Sequence, residues 1–304
     1  MNTPNPPVKA AASVRDVFFG VQQSRRLLID TIRALSDFSD SLTVIGAHAV
    51  HVWVQETLGA MPMQATRDAD VAVNPVFVTP DPKLLHIMGS IGVEPALPDR
   101  PGVYGYTIEN QLPLPERTTI DLIVPETYAG PGRRAARIAG QSHAASRATG
   151  LELAVWDRHR RTLTAIDNPA DTVGTWVAGP AALLVAKAHK VHERLAQLAT
   201  RPDRLRPKDS GDIALLMMAS QPETVATIMI EQSTEHPEIT TVVSNAARWL
   251  VEMYSDPSGV PRRHAADALA DRFDETQVAE TIEPWLTAFR ETAAELIATN
   301  PDTR

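Results

Sequence analysis

The chain contains no cysteine, which excludes disulfides, thiolate zinc sites and cysteine nucleophiles together. It also lacks any apolar run long enough to cross a bilayer, and its opening residues, MNTPNPPVKAAASVRD, lack the apolar core of a secretion signal. A cytoplasmic protein with no membrane contact is expected. Positive charge is not in excess: 29 Lys and Arg against 37 Asp and Glu leave a formal net charge of -8, so the molecule as a whole does not attract nucleic acid as a basic domain does. Any RNA contact has to be local. The best candidate is residues 130–150, GPGRRAARIAGQSHAASRATG, with Arg133, Arg134, Arg137, Arg147 and no acid; the alternative is a solvated basic loop. Aromatic residues are few, and the five tryptophans are scattered rather than interleaved with basic residues, which argues against a stacking platform for single strands.

With 304 residues the chain has ample length for a buried core and suggests two domains. The first dozen residues, with Pro4, Pro6 and Pro7, read as a disordered lead. Apolar residues at helical spacing predict a helix over 13–39, opened by a capping pair, Ser13 and Asp16. A short apolar run over 42–45 ends at Gly46, and a helix over 47–58 follows. RDADVAV reads as a second strand, 80–92 as a helix, 102–109 as a third strand. In RTTIDLIVP, Ile120, Leu122 and Val124 alternate with Thr119, Asp121 and Ile123, so Asp121 is a lone acid in an apolar strand. LELAVWDRHRRTLTAID reads as a hairpin around a polar turn at 157–160. Beyond it the composition shifts to Ala, Leu and Met at helical spacing, predicting helices near 180–200, 209–219, 222–233, 236–255, 261–273 and 275–298. The expectation is an α/β fold: residues 1–38 as an N-terminal extension and helix, a small mixed-sheet core over 39–168, and an all-helical domain over 169–304.

Asp68 and Asp70 flank a single alanine at the start of a strand, where Asp is disfavoured and two carboxylates on one face repel. A cation between them removes the objection. Hard divalent ions such as Mg²⁺ take oxygen ligands and keep several waters, so Asp68 and Asp70 with substrate phosphates, and with Asp121 if a neighbouring strand brings it beside them, make a suitable cage. The Gly46 turn would let phosphate approach backbone N–H groups at a helix start.

The segments VIGAHAV, TRDADVAV and TIDLIV resemble, in that order, the three motifs of the DNA polymerase β-like nucleotidyltransferase superfamily. GPAALLVAKAHKVHERL followed by RLRPKDSGDIALLM is similar to the distal part of AbiEii-type nucleotidyltransferase toxins. The resemblance spans roughly residues 40–220. It implies a nucleotidyltransferase core followed by a helical domain, Mg²⁺ as cofactor, and transfer of NMP from an NTP to an acceptor hydroxyl. It further implies a toxin-like role with tRNA or a protein as acceptor and a cognate antitoxin as partner. By the same resemblance Asp68 and Asp70 bind the metal, and Asp121 is a shared ligand or the base. Gly46 and the N–H of Ala47 meet the nucleotide phosphates, and Lys187 neutralises the triphosphate. Lys208, Asp209 and Asp212 match the distal motif and hold nucleotide or orient the lysine helix. Where the family has a second glycine or a serine, this chain has Ala47, so contact there is by backbone; His48 follows, within reach of a phosphate or the acceptor.

Plainer readings stand beside these. Asp121 can pair with Arg67 or Arg117, and Arg67 can position the Asp68 strand. His48 with His51, and His189 with His192, can be packing groups rather than metal ligands. Lys187 can be a surface lysine, and Asp209 the acid that favours a helix N-terminus. The R-x5-H spacing of Arg137 and His143 is a chance match. A non-catalytic nucleotide- or partner-binding module and transfer to a small molecule are the alternative functions.

Overall fold

The computed structural model describes residues 14–59, 61, 63 and 65–299; the proline-bearing lead and the Ser13–Asp16 capping pair fall outside what can be described. The first helix, α1 (Val14–Ala34), buries Leu27, Leu28, Ile29 and Ile32 and ends before a 3-10 turn, Ser36–Ser41. Strand β1 (Leu42–Ile45) and helix α2 (Gly46–Leu58) meet at Gly46 without a connecting loop. Then come β2 (Asp68–Val73), α3 (Leu84–Ser90), β3 (Val93–Pro95), β4 (Val103–Tyr106) and β5 (Thr119–Pro125). α3 is shorter than the helix expected over 80–92. The residues preceding Pro80 and Pro82 avoid helical backbone, and the helix starts only after Lys83.

Burial follows the alternation read from the sequence. Ile120, Leu122 and Val124 are fully buried in β5, while Asp121 and Ile123 lie on the opposite, partly open face. Strand β6 (Ser146–Ala148) adds to the second half of β5, along the edge that β4 occupies in the first half. At the seam Gly102 has φ +78, and a Cβ there would lie 2.3 Å from the Ser146 nitrogen, so only glycine lets the two strands meet end to end.

The expected hairpin over 151–167 is not formed. Its first half, Glu152–Val155, is a buried 3-10 turn held by the Glu152 carboxylate, which accepts hydrogen bonds from the Gly150 and Thr127 N–H groups. Strand β7 (Arg158–Thr164) pairs instead with β8 (Thr172–Ala178), so the sheet continues past residue 168. Asp157 is not a turn residue: its Oδ2 accepts from the Ala182 N–H, 2.8 Å, in the first turn of the next helix. The result is an α/β fold with one mixed sheet in the order β3-β4-β5-β2-β1-β8-β7.

Helices α4 (Pro180–Ala196), α5 (Pro207–Met218), α6 (Pro222–Glu235), α7 (Thr240–Tyr254), α8 (Val260–Leu269), α9 (Glu275–Thr292) and α10 (Ala294–Ala298) form the C-terminal helical region. Prolines open α4, α5 and α6, where the missing N–H costs nothing. α5 is buried almost throughout and packs against α2 and α4, which brings the helical region against the sheet. Among the described residues no single helix is long and apolar enough to cross a membrane.

Candidate active site

The sheet places the acids. β2 and β5 are parallel neighbours in a register that sets Asp70 directly opposite Asp121 and Asp68 opposite Thr119. β1 lies on the other side of β2, antiparallel, with Ile45 opposite Asp70. Gly46, the next residue, has φ +66, and a Cβ on it would stand 2.1 Å from Asp70 Oδ2. The carboxylate therefore occupies the space that a side chain would take at the start of α2. Gly46 thus stands in the strand-to-helix turn expected of it, and the cause seen for a glycine there is the Asp70 carboxylate.

Electrostatics shows the strain of collecting these groups. Burial, then the charge of Asp68, pushes the Asp70 carboxyl up to about 6. Burial followed by Asp70 and Asp68 holds Asp121 well above the usual carboxylate range. Asp68 goes the other way: burial opposes its charge, but the Thr66 hydroxyl and the ammonium groups of Lys208 and Lys190 outweigh that and leave it below the usual range. Among the described residues Asp121 has no arginine partner. Its Oδ1 is buried with no hydrogen bond, Arg67 donates to the Glu116 carbonyl, and Arg117 donates to backbone carbonyls.

The three aspartates face a cleft of about 730 Å³ whose lining contains nine basic and five acidic side chains. A protein of net charge -8 thus presents a positive cleft. The basic wall comes from α4 and α5. Lys187, Lys190 and Arg194 recur on one face of α4 and all reach Asp209, with Lys187 Nζ 3.1 Å and Lys190 Nζ 2.9 Å from Asp209 Oδ1. Lys187 also donates to Asp212 Oδ2 at 2.5 Å. Burial disfavours its charge, but Asp212 and Asp209 outweigh that and keep the ammonium above the ordinary lysine range. Burial likewise works against Asp209, and Lys187, Lys190 and Arg194 overcome it, holding the carboxyl well below its ordinary value.

The expected site residues therefore divide. Asp68, Asp70, Asp121, Ala47, Lys187, Lys208 and Asp209 line the cleft, with Gly46 beneath Asp70. Lys187 is buried and committed to two carboxylates rather than free for a triphosphate; exposed Lys190 and half-buried Arg194 each pair with Asp209 alone, and half-buried Lys208 donates to the Ala65 carbonyl at 2.7 Å. Asp209 is more than a helix-start acid, since it gathers three cations. Asp212 stands behind the wall, and its part is to hold Lys187. His48 does not reach the cleft. It is fully buried, receives a hydrogen bond from Arg25 Nε at Nδ1 (3.0 Å), and sits 3.1 Å from the Ser24 hydroxyl through Nε2, with burial keeping it neutral.

The other histidines make contacts within the fold. His51 Nε2 lies 3.1 Å from the Met61 carbonyl, and His189 and His192 pack on Trp249. The basic loop over 130–150 does not line the cleft, and Arg147 is spent on Glu126. Sequence reasoning missed Thr66, whose hydroxyl donates to Asp68 Oδ1, and missed Lys190 and Arg194. The i, i+3, i+7 spacing from Lys187 carried the signal for the two cations.

A divalent cation is tested by the donor set. Among the described residues no group of three or more His, Asp or Glu side chains is arranged to hold an ion unaided. Mg²⁺ does not require that, since it retains waters and takes substrate phosphates beside one or two carboxylates. The unpartnered Asp121 oxygen, the raised Asp70 and the all-oxygen chemistry fit such an ion, with Asp70, Asp121 and Asp68 as its holders. Comparison with protein families, with curated proteins and with solved structures finds no match to this chain.

Proposed function

We propose that this protein is a Mg²⁺-dependent nucleotidyltransferase that moves an NMP group from an NTP to an acceptor hydroxyl and releases pyrophosphate. The observation that carries the reading is the juxtaposition of three carboxylates, in register on adjacent strands, with a cationic wall across one cleft. Like charges buried together are costly unless something positive joins them, and a purely structural sheet has no use for the arrangement.

When bound, the ion supplies charge neutralisation between donor phosphate and carboxylates. The chain does the rest. The first turn of α2, where backbone N–H groups have no helical partner, faces the cleft at Ala47 and suits a phosphate oxygen. Asp121, its acidity weakened by burial and by Asp70, is suited to take the proton from the acceptor hydroxyl as its oxygen bonds the α-phosphorus. The bond to pyrophosphate breaks, and Lys190, Arg194 and Lys208 suit the charge of the leaving group. The motif resemblance extends the proposal to a toxin-like role, with tRNA or a protein as acceptor and an antitoxin as partner.

The test is incubation of the purified protein with Mg²⁺, each α-labelled NTP, and total RNA or cell lysate, beside Asp70→Asn. Label on RNA or protein with the parent and loss of more than about 100-fold in the variant is expected. Equal labelling by Asp70→Asn would remove the proposal, and nucleotide binding without any transfer would leave a binding module.

A further inference from the structure

Among the described residues no aromatic side chain lines the cleft, yet the reaction proposed for it uses a ligand with a flat base at one end. Charged groups fill most of the lining. Of the six uncharged residues, Ala47, Ala65 and Thr66 lie beside the aspartates, and Val103, Leu114 and Thr119 lie on the β5 side with Arg117. Arg117 is unlike the other cleft cations. A guanidinium has five N–H donors, all in its plane, and four of them are taken: Nε by the Leu112 carbonyl at 2.7 Å, Nη1 by the Ala96 carbonyl at 3.1 Å and Asn110 Oδ1 at 3.4 Å, and Nη2 by the Asn110 carbonyl at 2.6 Å.

A guanidinium spent in this way has little left to give a phosphate through its edge. With four of its edge donors spent, the part of the guanidinium left for a ligand is its face, positively charged, planar and pinned by those bonds. Such a face stacks on π systems, and nucleobases are bound on arginine planes where aromatics are absent. The position agrees. Arg117 has extended backbone and precedes β5 by two residues, so Arg117, Thr119 and Asp121 project to the same side of one extended segment. The platform lies roughly 13 Å along the strand from the Asp121 backbone.

Resting on the nucleotidyltransferase reading, we propose that Arg117 and Leu114 form a base subsite, in which a nucleobase stacks on the pinned guanidinium with Leu114 at its edge. The base comes from the donor nucleotide or from the acceptor, and two arms of one experiment separate these. Calorimetry with Mg²⁺ compares each NTP with inorganic tripolyphosphate, which has the charge and no base; steady-state kinetics gives KM for the acceptor labelled in the transfer assay. The variants are Arg117→Lys, which keeps charge and loses the plane, and Leu114→Ala, which leaves the loop contacts of Arg117 intact.

For a donor base, both variants bind NTP roughly 5- to 150-fold more weakly, the range for losing one stacked base, while tripolyphosphate binding is unchanged. For an acceptor base, NTP affinity holds, acceptor KM rises by a similar factor and kcat moves little. NTP and tripolyphosphate weakening together would overturn the proposal, because Arg117 would then act through charge or loop folding, and so would two variants that match the parent in both arms. A parent that binds NTP but labels no acceptor would sink the nucleotidyltransferase reading alone, and the NTP arm would still decide the platform. A parent that binds NTP no better than tripolyphosphate, with acceptor KM unmoved in the variants, would sink the platform alone.

Discussion

Replacing Gly46 with alanine separates backbone strain from side-chain collision at the centre of the site. The backbone part follows from φ +66, the left-handed region, where a Cβ costs about 1–2 kcal/mol. The collision part follows from a Cβ placed 2.1 Å from Asp70 Oδ2, 3.0 Å from its Cγ and 3.1 Å from its Cβ. To restore ordinary contact the carboxylate must move by on the order of 1 Å, at an off-rotamer cost of about 0.5–1.5 kcal/mol. Gly46→Ala should therefore lower unfolding stability by about 2–3 kcal/mol in urea titrations. In an Asp70→Ala background the contacts with Oδ2 and Cγ are gone and only the Cβ at 3.1 Å remains, so the same substitution should cost little more than the backbone part, leaving a coupling near 1 kcal/mol in the double-mutant cycle. A displacement of this size at a reacting group also costs on the order of 100-fold in rate, measurable in the transfer assay. Equal cost of Gly46→Ala in both backgrounds would refute the claim that Asp70 occupies the missing side chain's space. Full transfer activity in Gly46→Ala would refute the claim that this contact sets the carboxylate's position.

Lys187→Met should destabilise by about 3–5 kcal/mol, because it leaves Asp212 buried without the ammonium that pairs with it; Lys187→Met with Asp212→Asn should recover much of this in thermal unfolding. Asp209 is depressed in the folded state by Lys187, Lys190 and Arg194 acting against burial, so its stabilising contribution is present above the unfolded value of about 3.9 and lost as pH falls through the lower folded value. Acid titration of stability should accordingly fall less steeply below pH 4 in Asp209→Asn than in the parent, and an unchanged acid limb would count against the cluster. Thr66→Val should lower transfer by roughly 10-fold by releasing the Asp68 carboxylate, with Thr66→Ser restoring it, both read as kcat in the labelling assay.

The parts of the site that were legible in the sequence are those written by local period. Alternation in β5 gave the orientation of Asp121, the Asp68–Asp70 spacing gave a shared strand face, and Gly46 marked the turn. What escaped depends on partners distant in sequence. The pairing of β7 with β8 was missed because the Leu151–Val155 run has strand composition, yet Glu152 draws it into a buried turn. His48 sits one residue beyond the cleft-facing Ala47, but its direction is fixed by Arg25, more than twenty positions earlier. The commitment of Lys187 to two carboxylates could not be seen before α4 and α5 were packed together. Arg117 looked like a partner for Asp121, and only the fold of the loop shows its donors turned to carbonyls.

The third carboxylate rides on a strand clamped along both edges, with β2 on one and β4 and β6 placed end to end on the other. Sliding β5 by a single residue would exchange Asp121 with Ile120 or Leu122, sending a charge into the core and a large aliphatic side chain into the cleft. Three neighbours would have to re-pair at once for that to happen. The index of Asp121 is thus set by the sheet rather than by the segments that enter and leave the strand. Loops at either end of β5 can lengthen, shorten or take on new contacts while the carboxylate stays opposite Asp70.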